Sequence, residues 1–153
     1  MQITEHQSIQ LHNLISYKKN IRRSDILRLA RYISDNLNVH SLELIDRILF
    51  TEAGTQNDGD IFSTEILIPV RGDIMRCDEF QYRPSFVLSD AVSIRHIGKL
   101  SRLSETESII RKFITEKNYK TATPAYYSIV RNDSANSSDC IIDIYIGIEY
   151  DKT

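Results

Sequence analysis

The sequence predicts a duplicated α+β fold, two βαββ units related by a pseudo-two-fold axis around a central cleft, with the helices on one face of the sheets. Three observations lead to it. The strand-like run "FSTEILIPV", Phe62 to Val70, carries one acid, Glu65, and "CIIDIYIGI", Cys140 to Ile148, carries Asp143 in the same place. Each run closes a series that reads strand, helix, strand, hairpin, strand, at an offset of about 78 residues. Each unit has a single helix to cover one sheet face, so the opposite face needs another partner. The 153 residues are thus read as a single domain, with lobe one over about 1–70 and lobe two over about 85–153.

The elements follow in order. "IQLHNLISYKKN", Ile9 to Asn20, alternates in part and reads as a strand. In "RRSDILRLARYISDNLN", Ser24 is placed to cap a helix whose apolar stripe is Ile26, Leu29, Ala30, Ile33 and Leu37. Leu42 to Ala53 is the next strand, "GTQNDGD" the hairpin loop, and Phe62 to Val70 the return. "RGDIMRCDEFQYRPS" is a polar connection with Gly72 and Pro84 as breakers. Phe86 to Gly98 is a strand. A helix follows, with Ser104 and Glu107 spaced as a capping box and Thr106, Ile109, Ile110, Phe113 and Ile114 as its buried stripe. "PAYYSIVRND" is a strand rich in aromatic and β-branched residues, "SANSSD" a loop, and Cys140 to Tyr150 the last strand.

The apolar and charged fractions, 41% and 26%, are those of an ordinary globular chain, and the net charge of -2 offers no broad basic field for nucleic acid. No apolar run approaches the roughly 20 residues of a membrane helix. The N-terminal "MQITEHQSIQ" lacks a secretory pattern. Cys77 and Cys140 fit neither a metal spacing nor a disulfide framework, so the expected setting is cytoplasmic. No glycine-rich phosphate loop, calcium loop or Gly-x-Ser-x-Gly occurs, so no cofactor, no metal and no catalytic set are expected. "NDGD" reads as a hairpin turn, "YKKNIRR" as a solvated corner, and "RGD" as a chance linker tripeptide.

Strand alternation places Ile142, Ile144, Ile146 and Ile148 on one face, to pack on the helix, and Asp143, Tyr145 and Gly147 on the other. In the first unit Glu65, Leu67 and Pro69 look away from Ile66, Ile68 and Val70. Both acids then face the cleft. A sheet floor bearing an acid and tyrosines suits a cationic or aromatic organic molecule, because the ring quadrupole and the carboxylate both attract a cation. The competing reading is a wetted sheet face, which alternating strands routinely present.

"VSIRHIGKLSRL" holds His96-x-Gly98 at a strand end leading into a helix. With "STEILIPV" at mid-chain and "DIYIGI" at the end, it resembles the GyrI-like (gyrase-inhibitor-like) effector-binding family over nearly the whole chain. The resemblance implies the duplicated fold, a central cleft and an organic ligand, often a lipophilic cation; some members are similar to hydrolases using a cleft glutamate and tyrosine. The family's cleft glutamate falls on Asp143, one methylene shorter. Val130 stands near the family's tyrosine position, with Tyr126 and Tyr127 slightly upstream, and Lys99 and Leu100 replace the aromatics that follow the glycine. The expected activity is therefore non-covalent capture of a small organic ligand, with Asp143 as charge partner, Tyr127 and Tyr145 as walls and Glu65 as a second acid. A protein–protein interaction module and a small hydrolase are the alternatives. His96 is expected to be structural at its corner rather than a general base.

Overall fold

The structure is a computed structural model that describes residues 2–55, 61–75, 77–132 and 139–150. The central residues of both expected hairpin loops, 56–60 and 133–138, lie outside the described residues. The fold is α+β. In chain order the elements are β1 (Ile3–Arg22), α1 (Ile26–Asp35), β2 (Glu43–Leu44), β3 (Leu49–Thr55), β4 (Ile61–Arg71), β5 (Gln81–Lys99), α2 (Leu103–Glu116), β6 (Tyr119–Asn132) and β7 (Asp139–Tyr150). The chain divides into two compact units, Gln10–Phe86, and Met1–Ile9 with Val87–Thr153.

In the 10–86 unit β4 is central, with β1 antiparallel on one side and β3 and β2 antiparallel on the other. The single strand read over 42–53 is in fact two. Asp46 accepts the Arg47 amide at 2.7 Å, diverting a backbone donor from the sheet, and pairing resumes at Leu49. A tight 3-10 turn at Arg23–Asp25 precedes α1, so Asp25 rather than Ser24 occupies its N-cap. Glu52 lies in β3. Its carboxylate is 4% exposed and accepts Arg23 Nη2 at 2.5 Å.

In the other unit β7 is central between β5 and β6, both antiparallel to it. Ile142, Ile144 and Ile146 are fully buried, each contributing roughly 1.5–3 kcal/mol. They share the helix-facing side with His96 and Tyr127, since His96 pairs with Ile142 and Tyr127 with Ile144. α2 covers this face with Leu103, Thr106, Ile110 and Ile114; Ile109, assigned to the stripe, is 43% exposed. Ser104, expected as the N-cap, lies inside the first turn of α2. Arg102 stands at the N-cap, and Glu107 instead accepts the Tyr127 hydroxyl and Arg111 Nε.

The duplication is visible in the register. In one unit the row across the sheet is Lys18–Glu65–Thr51, and in the other Arg95–Asp143–Ser128. The paired positions are 77, 78 and 77 residues apart. α1 and α2 begin at Ile26 and Leu103, also 77 residues apart.

The His-x-Gly corner has a physical account. His96 is 3% exposed; Nε2 lies 2.8 Å from the Lys99 carbonyl and Nδ1 2.7 Å from Thr106 Oγ1. A carbonyl only accepts, so Nε2 carries the proton and Nδ1 accepts from the threonine hydroxyl. The ring thus ties the end of β5 to α2. Gly98 sits at φ 132, where a side chain is strained although nothing crowds its Cβ position. Gly98→Ala should therefore cost about 1–3 kcal/mol, measured by urea unfolding, without altering the folded spectrum. The two thiols are free, Cys77 exposed and Cys140 buried, and desolvation pushes Cys140 up to about 11. Ellman's reagent at pH 8 should titrate Cys77 rapidly and Cys140 only on unfolding. Because the raised value favours the neutral thiol, the Cys140 contribution to stability is complete below pH 9 and lost as pH rises to about 11.

Candidate functional site

The face of the β5–β7–β6 sheet turned away from α2 carries the polar and aromatic residues of interest. One row is Arg95–Asp143–Ser128, and the next is Ser93–Tyr145–Tyr126. Directly paired side chains on one face stand roughly 4.5–5.5 Å apart at Cβ, so the two tyrosines and the acid form one patch. Tyr126, Tyr145 and Ser93 are half-buried, and Ser128 is buried.

Asp143 is not a lone acid. Its Oδ1 accepts Arg95 Nε at 2.8 Å and its Oδ2 accepts Nη2 at 3.0 Å. The Asp143 side chain is 12% exposed and the Arg95 side chain 49%. A carboxylate in a central strand is shielded by strands on both sides, and its charge requires a partner there. The hydrogen bond and the charge of Asp143 raise the Arg95 pKa above its ordinary value. Sequence reading missed Arg95 because arginine on a strand's polar face is commonplace; antiparallel pairing with β7 is what gives it a role.

Tyr127 requires a correction. It pairs with Ile144 on the α2 side, is 3% exposed, and donates its hydroxyl to Glu107. It therefore lies on the opposite face of the sheet from Asp143 and Tyr145. The tyrosine on their face is Tyr126, one residue earlier, because a shift of one residue reverses the face. Gly147, on the same face as Asp143 and Tyr145, is covered: Thr123 Oγ1 accepts its amide at 2.9 Å, and a Cβ there would meet Thr123 Cγ2 at 2.7 Å.

Glu65 belongs to the 10–86 unit and is also engaged. Ser16 Oγ donates to Oε2 at 2.5 Å, and Arg83 Nη1 lies 3.6 Å from Oε1. On the other side of that sheet a cavity of about 300 Å³ opens beneath α1, with Ile15 and Ile68 on its floor and Tyr17, Tyr32, His40 and Phe80 among its walls. No group of at least three His, Cys, Asp and Glu residues suited to a metal ion occurs among the described residues. No helix there is long and apolar enough to cross a membrane.

No family model matches the sequence, and no curated protein matches it significantly. Solved structures do. The fold is similar to EcmrR in the cryo-EM structure of an EcmrR–DNA complex, at 14% identity and a TM-score of 0.78, covering 98% of this chain and 58% of that one. It is similar to the crystal structure of the EcmrR C-terminal domain, at 15% identity and a TM-score of 0.70, covering 99% and 100%. An uncharacterized conserved protein from Listeria innocua shares it at 11% identity and a TM-score of 0.58, over 95% and 93%. Identities this low establish a shared fold and nothing finer. This chain spans just over half of the EcmrR chain in the DNA complex. Because one matched chain comes from a DNA complex, the likeness gives no support to the expectation that nucleic acid is not a partner.

The ion pair makes a stability prediction. Removing either partner alone strands a charge, and removing both does not. A double-mutant cycle of Asp143→Asn and Arg95→Gln, read by urea unfolding, should give a coupling of about 1–2 kcal/mol, discounted because Arg95 is half-exposed. Independent, additive losses would show that the pair contributes nothing.

Proposed function

We propose that this chain is a non-enzymatic small-molecule-binding module of the GyrI-like effector-binding kind. It takes an aromatic organic ligand against the Tyr126–Tyr145 face of its Met1–Ile9 and Val87–Thr153 unit. The observation that carries the reading is that cross-strand tyrosine pair, half-buried beside a charged row. Tyrosines supply large apolar faces at little entropic cost and prefer offset or edge contacts with another ring. The neighbouring groups suit recognition better than turnover. Asp143 is held by Arg95 and His96 by Thr106 and Lys99, so neither is poised to move a proton. Such a module would report ligand binding to a protein partner or to another domain, in a cytoplasmic setting; the EcmrR C-terminal domain shares its fold.

The sequence contains no Trp and eight Tyr, so ligand binding is readable as quenching of tyrosine fluorescence. A neutral naphthamide should bind. Tyr126→Ala and Tyr145→Ala should each weaken it about tenfold, equivalent to roughly 1.4 kcal/mol. Tyr127→Phe should leave binding unchanged while lowering stability by about 1 kcal/mol through its lost bond to Glu107. Binding that responds to Tyr127 but not to Tyr126 or Tyr145 would place the ligand elsewhere.

A further inference from the structure

We infer that the Tyr126–Tyr145 face selects a planar aromatic carboxylate rather than a cation, and that Arg95 is the residue that reads the charge. The inference rests on the ligand site proposed above. Its basis is the way Arg95 meets Asp143. The acid that a cation would seek already has both oxygens occupied, at 2.8 and 3.0 Å. A quaternary ammonium has no N–H to offer in exchange. Its entry would break two charge-assisted hydrogen bonds at a carboxylate only 12% exposed.

The guanidinium is placed differently, with its side chain 49% exposed. Engagement through Nε and Nη2 uses the side edge of the fork. The end edge, Nη1 with the second Nη2 hydrogen, has the geometry to grip another carboxylate in two-point fashion. A carboxylate arriving there is nearer to the guanidinium than to Asp143, so attraction exceeds repulsion. Asp143 acts as a positioning residue that holds the fork in place.

The tyrosines supply the rest of the ligand's surroundings. Tyr145 is two residues beyond Asp143 on the same strand face, and Tyr126 is paired with it. A ring attached to the bound carboxylate lies along that row. The matching acid of the 10–86 unit lacks this arrangement: Arg83 approaches Glu65 at 3.6 Å and a serine hydroxyl takes the other oxygen.

The test titrates the intact chain with three probes of one shape: a naphthoate, the matching naphthamide and the matching naphthyltrimethylammonium. The naphthoate should bind at least fivefold more tightly than the amide, and the ammonium more weakly than the amide. Raising salt from about 50 to about 500 mM should weaken the naphthoate and leave the amide unchanged. Arg95→Gln should bring naphthoate down to the affinity of the amide, whereas Arg95→Lys should retain part of the difference. An ammonium that binds the unmodified protein more tightly than the naphthoate overturns the inference and leaves the aromatic site standing, as does equal binding of naphthoate and amide. Failure of all three probes at millimolar concentration overturns the aromatic site and this inference together.

Discussion

The alternation of β7 governs the unit that carries the candidate site. Ile142, Ile144 and Ile146 must face α2 to leave water, and the intervening residues are thereby committed to the other side. β7 also lies between two strands, so a residue on that other side is shielded from both flanks. Asp143 is consequently a buried carboxylate by position. Arg95, directly across β5, meets its charge, and Ser128 flanks it across β6. A hydrophobic row on one face has thus set the electrostatics of the opposite one.

The first unit applies the same frame with different chemistry. Glu65 stands in the central strand opposite Lys18 and Thr51, as Asp143 stands opposite Arg95 and Ser128. The longer glutamate reaches Ser16 and approaches Arg83, whereas the shorter aspartate meets its direct cross-strand partner two-point fashion. One methylene accompanies two different ways of holding an acid. The shared register, at nearly constant offset, makes the internal repeat a property of strand pairing as well as of sequence order.

The corner that carries the family-like signature is a structural device. The His96 ring bridges the Lys99 carbonyl and the Thr106 hydroxyl, so the end of β5 and the start of α2 are tied across a 3-10 turn. Gly98 supplies the positive φ between them. This anchors the α2-covered face of the sheet at its corner.

Local rules suffice for much of this protein. Apolar periodicity marked both helices, the closing strands and the repeat, because these depend on residues a few positions apart. The Ile row and the placement of Asp143 and Tyr145 opposite it followed from a period of two. The closing-strand acids were visible for the same reason. What depended on distant pairing was not. Tyr126 and Tyr127 are adjacent, and only the register of β6 against β7 decides which of them shares a face with Asp143. Glu107 matched a capping box in sequence, yet Tyr127 and Arg111 claimed its carboxylate. Arg95 is 48 residues from Asp143, and Arg23 is 29 from Glu52. Sequence alone determined the two helices and the faces of the closing strands, because periodicity is local. Only the tertiary structure decided which charges meet, because an ion pair depends on how antiparallel strands come into register.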